Sequence, residues 1–138
     1  MTKLQLNCDG GARGNPGPAA YGYVIQDITS GAAIILGKCG NYVGETTNNQ
    51  AEYAGLIAGI AWVVEHHPDA ELEIVMDSLL IVNQIKGLFK VKNPDLQRRY
   101  HEARGLLAKL PSWTIRHVLR DKNSLADELV NQALDAKS

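Results

Sequence analysis

Four acidic residues stand at the edges of apolar runs: Asp9 after KLQLNC, Glu52 in TTNNQAE, Asp77 after ELEIVM and Asp127 in RDKNSLAD. Separately, each has an ordinary use. Thr47-x-x-Gln50 and Asn49-x-x-Glu52 both fit a capping box, and Asp127 in the first turn of a helix suits the macrodipole. Together they could do chemistry, because carboxylates that converge either share protons or gather cations. Asp9 is followed at once by GGARGNPGP, four glycines and two prolines in nine positions, which reads as a tight turn, a phosphate cradle or the rim of a metal site. A dinucleotide cradle needs G-x-G-x-x-G opening a helix, and a P-loop needs G-x-x-x-x-G-K-[ST]. Here the spacing is G-G-x-x-G-x-x-G and a strand-like run follows. The turn and the metal rim remain.

The elements that must position these acids follow from periodicity. Residues 3–9 alternate with Leu4, Leu6 and Cys8 on one face, which predicts a strand ending at Asp9. Tyr21–Ile28 and Ala33–Tyr42 read as a hairpin broken by TSG, and Thr47 to His66 turns to helical period before Pro68. ELEIVMD (71–77) is a strand, SLLIVNQIKG (78–87) a short helix, Pro94 to Leu110 a helix with proline in its first turn, WTIRHVL (113–119) a strand, and Ser124–Ala136 the last helix. The order β-β-β-α-β-α-α-β-α predicts an α/β domain over residues 1–138, with a mixed sheet and helices on its faces. Right-handed crossovers make strands 1, 4 and 5 parallel neighbours, so Asp9 and Asp77 meet at their carboxyl edge. Glu52 shares a helical stripe with Leu56, Gly59, Ile60 and Val63, so it faces the sheet, and no basic residue lies near it in sequence.

Carboxylates converging at such an edge repel one another unless cations bind. An all-oxygen set with no Cys or His cluster suits Mg²⁺ or Mn²⁺, and two such ions roughly 3.5–4 Å apart can activate a water and stabilise a leaving oxygen in phosphodiester hydrolysis. Asp9 is then a ligand, and Gly10–Gly14 let backbone approach a substrate strand.

The four blocks DGGxxGNPGPxxxG (Asp9–Gly22), TTNNxAE (Thr46–Glu52), MDS (Met76–Ser78) and NxxAD (Asn123–Asp127) together resemble the ribonuclease H family, type 1, across essentially the whole chain. The resemblance implies a ribonuclease H-like fold with a five-stranded sheet in the order 3-2-1-4-5. It also implies Mg²⁺-dependent cleavage of the RNA strand of an RNA–DNA hybrid, leaving 5′-phosphate and 3′-hydroxyl ends. By position it makes Asp9, Glu52, Asp77 and Asp127 the ligands of two ions. It brings Glu52, Gly10 and Gly11 to the 2′-hydroxyls, and Thr47, Asn48, Asn49 and Asn15 to the DNA strand and minor groove. Double-stranded RNA, whose A-like geometry approaches that of the hybrid, stands as a second substrate.

Three features depart from the family pattern. Many bacterial relatives carry a His in the loop before the last helix; here that loop is LRDKNS, and Arg120 is the substitute, with His117 expected to be a partly buried strand residue. GLFKVKNPD is too short for the basic, Trp-rich protrusion of those relatives, and Leu79 stands where some have a polar substrate contact. The net charge of −1 does not itself favour nucleic acid, but Lys86 to Lys109 holds seven basic residues against two acids, a candidate phosphate footprint. An inert binding domain of this fold has no need of four acids. A transposase- or integrase-like nuclease typically has three acids at other spacings and lacks TTNN.

At 138 residues, 45% hydrophobic, the chain suits one core. With no long apolar run and no leader-like N-terminus, a cytoplasmic monomer without membrane contact is expected. Cys8 and Cys39 sit in strand-like runs without CxxC spacing and are expected to be buried and unpaired.

Overall fold

In the computed structural model, which describes residues 1–137, the chain forms β1 (Lys3–Ala12), β2 (Gly17–Asp27), β3 (Ile34–Thr46), α1 (Asn48–His66), β4 (Glu71–Met76), α2 (Leu79–Ile85), α3 (Pro94–Leu107), β5 (Ser112–His117) and α4 (Ser124–Lys137). A 3-10 turn, Arg120–Asn123, joins β5 to α4. Ser138 lies outside the described residues. The sheet order is β3-β2-β1-β4-β5, with β1 antiparallel to β2, β2 antiparallel to β3, and β4 parallel to both β1 and β5. This is the predicted topology. No helix among the described residues is long and apolar enough to cross a membrane.

The glycine stretch differs from the expected turn. β1 runs past Asp9 to Ala12, and β2 begins at Gly17 instead of Tyr21, so Gly10 and Gly11 pair in register with Tyr21 and Ala20. Only residues 13–16 turn, closed by the Arg13 N–H donating to the Pro18 carbonyl at 2.8 Å, with Gly14 at a φ of 92°. Glycine and proline composition reads as a loop, but here small side chains serve a long antiparallel ribbon. β3 likewise extends to Thr46, which carries the chain directly into α1.

Helices cover both faces. Leu4, Leu6 and Cys8 of β1 and Leu72 and Ile74 of β4 form the main core with Leu56, Ile60 and Val63 of α1. On that face α3 packs beside α1, and α2 contacts β5. The opposite face holds α4, where Val130 and Leu134 pack on Ala20. Cys8 is buried, Cys39 only half-buried, and both are free; Tyr23 of β2 stands in register between them.

Glycines let α1 lie close to the sheet. A Cβ on Gly55 would sit 2.8 Å from the Asp9 carbonyl oxygen and 2.9 Å from the Tyr21 Cβ. Gly55→Ala is therefore expected to push α1 outward and cost about 1–3 kcal/mol, read as a lower midpoint in thermal unfolding. Gly105, in α3, has nothing within 4 Å of its Cβ position. Gly105→Ala should stabilise the protein by up to about 1 kcal/mol of helix propensity, read as a higher midpoint.

Candidate active site

The four acids arrive from four places at one edge of the fold. Asp9 projects from β1 two residues beyond the last pairing with β4, that of Asn7 with Val75. Asp77 is the first residue beyond β4, followed by Ser78, whose Oγ caps α2 by accepting from the Ile81 N–H at 3.4 Å. Glu52 sits one turn into α1. Thr47 caps that helix, accepting from the Gln50 N–H at 3.2 Å, as the first capping box predicts; Asn49 is already inside the helix, so the second box does not form and Glu52 is left for the site. Asp127 lies in the first turn of α4. All four line one cleft of about 530 Å³, together with Gly10, Gly11, Asn48 and Arg120.

Within the cleft the acids divide three and one. Carboxylate oxygens of Asp9, Glu52 and Asp77 lie within 4.8 Å of one another, with no Cys or His among them. Asp127 is paired instead with Arg120, whose Nη2 donates to Asp127 Oδ1 at 3.0 Å.

The electrostatics follow from that crowding. Asp9 is 6% exposed. Burial, then the Asp77 carboxylate, push its carboxyl up to about 8; a 2.9 Å hydrogen bond from the Gly10 N–H opposes this, and Asp127 and Glu52 add to it. Burial and Asp77 push Glu52 up to about 7, against a stabilising hydrogen bond from Ser78. The partner that an inward Glu52 requires is thus a hydroxyl and not a base. Burial, with these same acids, also raises the Cys8 thiol beneath them. A hard, oxygen-only set whose excess negative charge holds protons near neutrality fits a divalent cation such as Mg²⁺ or Mn²⁺.

Gly10 has a packing role that sequence reading did not foresee. Its Cβ position is 2.3 Å from the Ala51 carbonyl carbon and 2.4 Å from the Glu52 nitrogen, so any side chain there would push away the turn of α1 that carries Glu52. Gly11 is open by comparison, its nearest neighbour being Asn48 Oδ1 at 4.0 Å. Asn48 accepts from the Ala12 N–H at 2.8 Å, and its own N–H donates to Asn15 Oδ1 at 3.0 Å, tying the 13–16 turn to the start of α1. Asn15, Thr47 and Asn49 line a separate hollow of about 300 Å³ between the starts of α1 and α3. The expected substrate contacts are therefore split over two adjoining depressions.

Other expectations are redrawn. His117 is exposed at the end of β5, in register with Met76, and does not line the cleft. In the basic segment, Arg104 donates to the Ile85 carbonyl at 2.8 Å and lies over the Trp113 ring, Arg99 donates to Gln50, and Arg98 faces Asp95 at 3.6 Å. Packing thus uses two of the seven cations, Arg99 and Arg104, while Arg98 stays exposed beside Asp95. Lys86, Lys90 and Lys92 remain exposed on the α2–α3 connection, and Lys90 and Lys92 flank a hollow with Phe89 and Tyr100.

Asn123 is the residue whose role the sequence did not disclose. It is 2% exposed; its Nδ2 donates to the Cys8 carbonyl at 2.9 Å, and its Oδ1 accepts from Asn7 at 3.2 Å. It fastens the 3-10 turn to the strand that carries Asp9. Its place in NxxAD was the available signal. Arg13, another cleft residue not singled out, is ion-paired with Asp135 at 2.7 Å.

Comparison with known proteins gives a consistent picture. A family model described as reverse transcriptase-like matches residues 7–133. The chain is 43% identical over 127 residues to a protein of Halobacterium salinarum named ribonuclease HI, and 42% identical over 134 residues to the bifunctional protein Rv2228c of Mycobacterium tuberculosis. The matches cover 92% and 97% of this chain but 62% and 36% of those relatives. The crystal structure of LC11-RNase H1 in complex with an RNA/DNA hybrid superposes with a TM-score of 0.91 at 41% identity, covering 98% of this chain and 99% of that one.

Proposed function

The chain belongs to the ribonuclease H family, type 1, and from that premise we propose that it is an endonuclease hydrolysing the RNA strand of RNA–DNA hybrids. The observation that carries this reading is the group of Asp9, Glu52 and Asp77 oxygens gathered within 4.8 Å at the carboxyl edge of β1 and β4. Asp9, Glu52, Asp77 and Asp127 would hold two divalent ions, Mg²⁺ or Mn²⁺. When bound, these supply activation of the attacking water and charge neutralisation at the leaving 3′ oxygen.

The chain's own residues supply position and discrimination. Gly10 holds Glu52 against β1, where its carboxylate can accept from a 2′-hydroxyl on the RNA strand, the group that separates RNA from DNA. Gly11 leaves the cleft floor open for backbone-close approach. Asn15, Thr47 and Asn49 offer polar contacts to the minor groove and the DNA strand from the adjoining hollow, and Asn48 from the main cleft; such contacts read shape with little sequence preference. Arg120 brings a guanidinium to the cleft rim, where it can meet a phosphate.

The substrate class is tested by giving the protein hybrid, duplex RNA and duplex DNA of one sequence in Mg²⁺ and mapping the ends. Cutting confined to the RNA strand of the hybrid, with 5′-phosphate and 3′-hydroxyl products, is expected; preferential cutting of duplex DNA would sink the reading. Duplex RNA tests its breadth. Binding should also weaken with salt, and replacing Lys86, Lys90 and Lys92 together by Gln should reduce the slope of log K against log salt by about 2–3. An unchanged slope would remove the α2–α3 connection from the phosphate footprint.

A further inference from the structure

The ion pair between Arg120 and Asp127 is not needed for the fold. Its partners are 75% and 26% exposed, and it is the only hydrogen bond of the Arg120 side chain among the described residues. Yet it engages the one acid among the four carboxylates of the cleft that stands outside the group of three. The guanidinium charge is felt by Asp9 and Asp77 as well as by Asp127. The other arginine of the cleft, Arg13, is ion-paired with Asp135 instead.

We propose that Arg120 is a built-in competitor for the divalent ions: it engages Asp127 as an ion pair, so the three-carboxylate group loads first and the fourth carboxylate becomes more available when another ligand takes the guanidinium. This rests on the metal-dependent reading above. An anionic phosphodiester entering the cleft is the natural exchange partner, because a guanidinium binds phosphate oxygens with two parallel hydrogen bonds. Exchange onto the phosphate frees Asp127, so nucleic acid and the second ion favour one another's binding. By linkage the coupling is equal in both directions. The free protein is thereby kept under-loaded, and the site is completed when substrate is present. Arg120 acts here as a positioning residue.

The test is calorimetric titration of Mn²⁺ into the full chain without nucleic acid, for wild type, Arg120→Ala, Arg120→Lys, Asp127→Asn and the Arg120→Ala/Asp127→Asn double variant. Arg120→Ala should tighten the weaker binding step about three- to fivefold, the scale of an exposed ion pair, and the stronger step less. Arg120→Lys, which keeps the charge, should stay near wild type. In the Asp127→Asn background the effect of Arg120→Ala should disappear, which separates the ion pair from a general change of charge. Equal weaker-step affinities in wild type and Arg120→Ala, or an effect that persists undiminished with Asp127→Asn, would overturn the proposal and leave the metal site standing. Absence of Mn²⁺ binding in every folded variant would overturn both.

Discussion

Asp77→Asn is expected to lose cleavage of the hybrid by roughly a thousandfold or more while folding more stably than the wild type when metal is absent. The two effects share one cause. Asp77 contributes an oxygen to the group of three and is the largest charge acting on both Asp9 and Glu52. Removing its charge deprives a cation of a ligand and the metal-free protein of a repulsion. The amide is close to isosteric, so packing beside Ser78 and the start of α2 is retained. Relief of repulsion on this scale is worth about 1–3 kcal/mol, a rise of about 3–10 °C in the unfolding midpoint in EDTA at pH 8. A variant that loses activity and stability together would point to misfolding instead.

The second large effect is a pH dependence that runs against the usual one for acids. Most native carboxylates have depressed pKa values, so stability rises with pH. Here Asp9 stands at about 8 and Glu52 at about 7, above ordinary values of 3.8 and 4.5. For such groups the folded state binds more protons than the unfolded state. Their contribution is full below the unfolded values and is lost as pH rises through 7 and 8. Between pH 5.5 and 8.5 the metal-free protein should therefore lose stability, on the order of several kcal/mol if both groups titrate fully. Millimolar Mg²⁺ should restore it at the high end, with protons released on binding. Thermal unfolding in EDTA and in Mg²⁺ across this range checks both signs. A metal-free midpoint that climbs with pH would show that the acids are not gathered as described. In Asp77→Asn the fall should be shallower.

The four acids could be found in the sequence because each lies within about a turn of the edge of a periodic run: the first strand at Asp9, the start of a helix at Glu52 and Asp127, and the strand-to-helix junction at Asp77. Topology was legible because the strands are strongly periodic and the crossovers have one hand. The glycine stretch was not, since composition alone cannot distinguish a loop from a strand whose small residues admit two helices. Nor could spacing reveal that Gly10 exists for α1, or that Asn123 pins the last turn behind Asp9, because both depend on contacts across the sheet. The pairing of the fourth carboxylate with Arg120 was not legible either, because it is a side-chain contact made from an exposed turn. Counting charge in residues 86–109 overstated the footprint for a similar reason: Arg99 and Arg104 are held by neighbours.

The central claim is that these carboxylates gather divalent ions to cut RNA paired with DNA. The most direct measurement follows a 5′-labelled RNA strand in a hybrid with the wild-type protein, first in Mg²⁺, then after excess EDTA, then after Mg²⁺ is restored, with folded Asp77→Asn in parallel. Cutting that starts, stops and resumes with the ion, and is absent from the variant, is the predicted result. Cutting that continues in EDTA, or that Asp77→Asn performs as well as the wild type, would contradict it.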